Sequence, residues 1–141
     1  MIELYNLQRK IAIDTKGLRE FAAHLHEKVD EAKDKTFTVA LVPDKRMKEL
    51  NSLFRGKDTT TDVLSFPHEA DFFDPNPSNL GDIVISAEQA AKQADENGLT
   101  PNGELKQLIL HGVLHLCGYD HETDDGEMNE RELELRKKLR I

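Results

Sequence analysis

The sequence predicts an α+β architecture, a small four-stranded mixed sheet packed with about five helices in a single domain spanning residues 1–141. Three observations lead there. Short β-branched or alternating segments are interleaved with longer segments whose apolar residues recur at helical spacing. No repeat, linker or low-complexity tract divides the chain. A length of 141 residues suits one ordinary domain able to bury most of its apolar surface.

The elements follow in order. Ile2 to Leu7 reads as a first strand, and Thr15 to Ala32 as a helix with Leu18, Phe21, Ala22, Leu25 and Val29 on one face. Thr36 to Val42 alternates and reads as a strand. Asp44 is expected to cap a helix carrying Met47, Leu50 and Leu53, which Gly56 stops. Val63 to Phe66 reads as a short strand ended by Pro67. Glu69 to Asn79 is acidic and contains proline, as an exposed loop would. Asp82 to Ile85 reads as a further strand. Ser86 and Gln89 form a capping box for a helix closing near Gly98. Thr100-Pro101 opens a helix through Leu105, Leu108, Ile109, Val113 and Leu116, which Gly118 ends. Asp124 or Asp125 begins a last helix, whose charges read as a solvated surface and which ends in Arg136, Lys137 and Lys138.

Composition narrows the function. Hydrophobic residues make up 38% and charged residues 33%, a globular balance, and no apolar run approaches the roughly 20 residues of a membrane span. Met1-Ile2-Glu3-Leu4 does not start a signal peptide, and the single Cys117 excludes an internal disulfide; both fit a cytoplasmic protein. The net charge of −8 argues against a general nucleic-acid binder, because phosphate contacts come from Lys and Arg. The charge is uneven, however. Within residues 43–61, Lys45, Arg46, Lys48, Arg55 and Lys57 stand against Asp44, Glu49 and Asp58, which leaves room for a local basic groove.

The chemistry lies in His111-Gly112-Val113-Leu114-His115-Leu116-Cys117-Gly118-Tyr119-Asp120-His121. Residues four apart share a helix face, with Cβ atoms about 5–6 Å apart. His111 and His115 are thus placed to converge on one metal, and a bend at Gly118 lets His121 return as a third ligand. Three protein ligands leave a coordination position for water, the catalytic pattern. Cys117 lies about 200° further round the helix than His115 and points away. Asp120 reads as a turn cap or as a partner orienting an imidazole.

The spacing H-x3-H-x2-G-x2-H is shared with the metzincin proteases, which carry a glutamate base directly after the first histidine. Gly112 stands there instead and has no proton acceptor, so the protease alternative loses its base. Met128 is placed to mimic the methionine turn of those enzymes, but packing within the last helix is the simpler reading.

Two further blocks, Asn51-Ser52-Leu53-Phe54-Arg55-Gly56-Lys57-Asp58-Thr59-Thr60-Thr61-Asp62-Val63-Leu64-Ser65-Phe66-Pro67 and Leu80-Gly81-Asp82-Ile83-Val84-Ile85-Ser86, precede the histidines. Together, in this order, the three blocks resemble the YbeY family of bacterial endoribonucleases, from about residue 36 to the C-terminus. The resemblance implies a zincin-like fold and one zinc ion per chain held by His111, His115 and His121. It also implies a metal-dependent hydrolase that cuts single-stranded RNA, acting in 16S ribosomal RNA 3′-end maturation and ribosome quality control. Expected partners are the 16S precursor and the small ribosomal subunit with its associated proteins. The functional arginine of that family falls on Arg55, a guanidinium suited to binding a phosphate bidentately. Zinc-bound water or hydroxide, with Arg55 meeting the charge of the phosphate transition state, is the expected mechanism. A ribosome assembly factor with a purely structural zinc is the non-enzymatic alternative. Ser65 and Asp82 read equally as cleft-floor or as satisfied turn residues, His68 is a secondary candidate for the cleft, and Lys57 reads as a solvated charge before a phosphate contact. His24 and His26 are read as helix-surface residues.

Overall fold

The computed structural model describes residues 2–69 and 77–141. Along the chain run β1 (Glu3–Asn6), α1 (Thr15–Lys28), a 3-10 turn (Asp30–Ala32), β2 (Thr36–Val42), α2 (Asp44–Arg55), β3 (Val63–Pro67), β4 (Asn79–Ser86), α3 (Ala87–Asn97), α4 (Pro101–Leu116) and α5 (Glu127–Leu139). The sheet order is β1-β2-β4-β3. The first two pairings are parallel and β3 is antiparallel to β4, so the sheet is mixed as expected.

Alternation along the strands decides which face each side chain serves. Phe37, Val39 and Leu41 of β2, with Ile83 and Ile85 of β4, face a main core closed by α1, α4 and α5. On the opposite face Val42 and Leu64 pack against Met47 of α2, with Phe66 and Val84 alongside. The sheet thus carries α4 on one side and α2 on the other, with β3 as the edge strand between them. None of the helices among the described residues is long and apolar enough to cross a membrane.

Helix α4 lies very close to β4, and Gly112 is the reason it can. A Cβ built at this position would sit 2.8 Å from Ile83 Cγ2. The residue after the first histidine therefore faces the sheet, where any side chain would force Ile83 to shift. The missing metzincin glutamate follows from this contact, since a carboxylate here would displace the core.

Several boundaries differ from the sequence expectation. The first helix stops at Lys28, because Val29 is extended, and a separate 3-10 turn then buries Ala32. Asp44 is the first residue inside α2 and does not cap it; its carboxylate accepts hydrogen bonds from Thr60, Ser86 and Gln89. Pro67 belongs to β3, which an edge strand allows. Strand β4 begins at Asn79, three residues early, since Asn79 pairs with Thr36. Gly126 is the N-cap of α5, while Asp124 accepts from the Met128 amide two residues further on. The expected acidic loop falls mostly on residues 70–76, outside the described residues.

Candidate metal centre

Helix α4 is built to hold two imidazoles rigidly. The Thr100 side chain accepts from the Gly103 amide, Pro101 occupies the first turn, and the helix is buried along most of its length. His111 and His115 emerge on its cleft-facing side. The helix ends at Leu116, and Gly118, at φ 103°, reverses the chain. Asp120 then fastens the returning segment, its carboxylate accepting from the Glu122 amide at 3.0 Å. Asp120 is thus a turn cap, the first of its two expected roles.

The three imidazoles meet. Ring centroids lie 4.8 Å apart for His111–His115, 5.5 Å for His111–His121 and 5.2 Å for His115–His121. One nitrogen from each falls within 4.8 Å of the others, so the three side chains are positioned to bind one metal ion. Imidazole donors suit zinc and the neighbouring transition metals. Burial, with the two neighbouring rings, pushes the His115 pKa down, which keeps this imidazole neutral as a ligand must be.

The tautomer of His111 is settled by a residue that motif reading did not find. Its Nδ1 lies 2.6 Å from Oε1 of Glu132, which is buried in α5. Burial alone pushes the Glu132 carboxyl up, but the His111 hydrogen bond together with Arg136 outweighs it and holds the carboxyl below its ordinary range. An ionised carboxylate only accepts, so Nδ1 carries the proton and Nε2 keeps its lone pair for a metal. Arg136 donates to the other Glu132 oxygen at 2.7 Å. The reading of the α5 charges as a solvated surface is therefore corrected at Glu132, while Glu127, Glu130, Glu134, Lys137 and Lys138 are exposed as expected. A signal for it was present: Met128, Glu132 and Leu135 form one buried stripe, and a carboxylate on an apolar stripe needs a partner. Replacing Glu132 by Gln is expected to weaken zinc affinity about 10–100-fold. Competition with a chromophoric chelator measures this, and unchanged affinity would detach Glu132 from the site.

A second network braces the returning segment from behind. Arg131 donates to both Glu31 oxygens, at 2.7 and 2.8 Å, and the Tyr119 hydroxyl donates to Glu31 at 2.9 Å. Tyr119 lies two residues before His121, so Glu31 and α5 together hold the bend. The Arg131 hydrogen bonds, against the opposing effect of burial, pull the Glu31 carboxyl down to about 2 from its ordinary 4.5. A depressed carboxyl stabilises the fold above its unfolded pKa and stops doing so as pH falls through its folded one. The Tm advantage of the wild type over Glu31→Gln is thus expected to be full at pH 7 and to shrink between about pH 4.5 and 2. A gap that stays constant over that window would contradict it.

The histidines open onto a cleft of about 810 Å³ between α4 and the β3 edge. Arg55, the last residue of α2, lines the same cleft, as do Ser65 of β3, Asp120 and Arg136. Ser65 also donates to the Gly112 carbonyl at 3.5 Å. Asp82 is corrected: it lies within β4 on the face away from Ile83 and is exposed. His68 and Lys57 are exposed and are not among the described residues lining the cleft. Cys117 is half-buried against the Glu31 carbonyl, and burial pushes its thiol up to about 11, so it is neither a ligand nor a nucleophile at neutral pH. Met128 packs in the core and forms no methionine turn under the metal. His24 and His26 lie on α1, far along the chain from the site, with His24 near Glu27 at 3.3 Å.

A helix bearing two histidines, a third returned past a glycine, and an arginine at the cleft define a metal-site α+β protein of hydrolase type. The Endoribonuclease YbeY family model matches residues 3–140. A protein named endoribonuclease YbeY from Nautilia profundicola is 53% identical over 108 residues, covering 77% of this chain and 75% of its own. Another of that name, from a Sulfurovum species, is 40% identical over 137 residues, covering 96% and 88%. A solution structure of a Thermotoga maritima protein superimposes with a TM-score of 0.66 at 32% identity, covering 99% of this chain and 89% of that one. The chain belongs to the endoribonuclease YbeY family.

Proposed function

We infer that this protein is a metal-dependent endoribonuclease that cuts single-stranded RNA, its 141 residues acting as one catalytic domain. The observation that carries the reading is the shared cleft: three convergent imidazoles and Arg55 line the same open space. The names of the relatives give the substrate class, RNA. Within that class we propose the 3′ end of the 16S ribosomal RNA precursor as the target, with a role in ribosome quality control. The small ribosomal subunit and its associated proteins are then the partners, and the cytoplasm is the place of action. A partner would also supply the affinity that a chain of net charge −8 lacks for RNA.

Zinc is the proposed metal, held by His111, His115 and His121, and when bound it supplies a Lewis acid and lowers the pKa of water toward about 7. The protein does the rest. Glu132 keeps the His111 proton on Nδ1, so the ring presents its other nitrogen. Arg55 offers a fork of N–H donors to the phosphate oxygens, where negative charge grows as an oxygen nucleophile attacks phosphorus and the bond to the leaving oxygen breaks. The steric closure at Gly112 leaves no side-chain base at the metzincin position, which favours phosphodiester over peptide substrates. The test is cleavage of a fluorescent single-stranded oligoribonucleotide by zinc-loaded protein, lost on chelation and restored by zinc. An oligonucleotide that stays intact with fully loaded protein refutes the reading.

A further inference from the structure

The last turn of α2 places two large apolar side chains in water. Leu53 is 74% exposed and Phe54 is 59% exposed, directly before Arg55. Phe54 has a ring neighbour: Phe66 of β3 lies 5.1 Å away at 70°, an edge contact. An edge contact covers at most one face of a ring, so Phe54 keeps a bare face toward solvent. Apolar rings are costly to expose, and an exposed aromatic beside a cleft is a feature that packing does not explain.

The location of the pair matters more than its exposure. Ser65 and Pro67, on either side of Phe66, line the metal cleft. Strand alternation turns Phe66 to the opposite face, against α2. The aromatic pair therefore lies just across the edge strand from the cleft, and Arg55 spans the two. The charge around it has the right sign for a polyanion. Helix α2 carries Lys45, Arg46, Lys48 and Arg55 against Asp44 and Glu49; Arg46 pairs with Glu49 at 3.0 Å and Lys48 with Asp58 at 4.0 Å, yet basic groups still outnumber acidic ones along this helix of a strongly acidic chain.

We propose that Phe54, backed by Phe66, is a stacking platform for an unpaired base of the RNA strand that Arg55 holds by a phosphate. This assignment rests on the nuclease reading and adds a source for its single-strand preference. A base in a duplex has both faces covered and cannot stack on Phe54, whereas an unpaired base has faces free, and any of the four bases can use them. The strand would leave the metal cleft over the β3 edge, with one phosphate on Arg55 and the adjoining base on Phe54.

The experiment compares wild-type, Phe54→Ala and Phe54→Trp proteins, all full-length and zinc-loaded, on two single-stranded decamers. One is oligouridine and the other is the same ribose-phosphate chain without bases. On oligouridine, Phe54→Ala is expected to raise KM about 5- to 100-fold, as loss of one base–aromatic stack does. The kcat should change little, because the contact is equal in ground and transition states. Phe54→Trp should restore the wild-type KM. On the base-free chain, wild type and Phe54→Ala should coincide. Equal KM values on oligouridine overturn the proposal and leave Phe54 to a protein contact. A KM increase that persists undiminished on the base-free chain overturns it as well, since bases would then be irrelevant. Wild-type protein that cuts neither decamer overturns the nuclease reading, and the platform with it. A melting temperature for each variant within a few degrees of wild type shows that the exposed position is tolerated.

Discussion

Replacing His115 by Ala is expected to abolish zinc binding and RNA cleavage together while leaving the fold in place. His115 contributes one of three convergent nitrogens, and two imidazoles from separate elements do not close a site. The loss should exceed the ~10–100-fold that removal of an outer hydrogen-bond partner costs. Alanine is the best helix former, and the position is half-buried at the cleft wall, so α4 tolerates it. The measurement is zinc content after dialysis against micromolar zinc, read beside cleavage of a single-stranded oligoribonucleotide and the far-ultraviolet dichroism spectrum. A variant that retains stoichiometric zinc removes His115 from the centre. A variant that loses zinc but cuts RNA at the wild-type rate takes the metal out of the mechanism.

Arg55→Ala is expected to behave in the opposite way toward metal. Zinc content stays at the wild-type level, because Arg55 stands outside the imidazole cluster. The cleavage rate falls by about 10²–10³, the usual cost of losing a donor aimed at transition-state charge. Arg55→Lys should recover only part of it, since an ammonium is a point charge and cannot bind two oxygens in parallel. Arg55 is exposed at the end of α2, so neither change should alter stability much. Cleavage at full rate by the Ala variant takes Arg55 out of the mechanism.

These two residues differ in how they were legible. The histidines were readable because the whole constellation is local. Helical spacing and one glycine turn bring three ligands together within eleven residues, and nothing distant is needed to specify it. Arg55 lies some fifty residues upstream, and no periodicity connects it to His111. Only resemblance suggested it, and the shared cleft places it near the site. Glu132 was missed although it contacts His111 directly. Its signal was a carboxylate on the apolar stripe of α5, which looks like ordinary helix charge until the helix is docked. The pairing of Glu31 with Arg131 spans a hundred residues and left no trace in either segment.

Element types were likewise local information. Thr36 to Val42 and Pro101 to Leu116 were evident because alternation and 3.6-residue spacing, with Thr100 and Gly118 at the ends of the helix, depend only on near neighbours. Boundaries set by distant partners were not, as Asn79 shows: it joins β4 because Thr36 lies beside it. The chain alone thus determined what each segment becomes and which three imidazoles converge, since short-range backbone geometry decides both. Tertiary packing decided the proton on His111, the crowding of Gly112 against Ile83 and the meeting of Arg55 with the histidines in one cleft. Each of those depends on atoms brought close by burial of the core, and burial has no fixed spacing along a sequence.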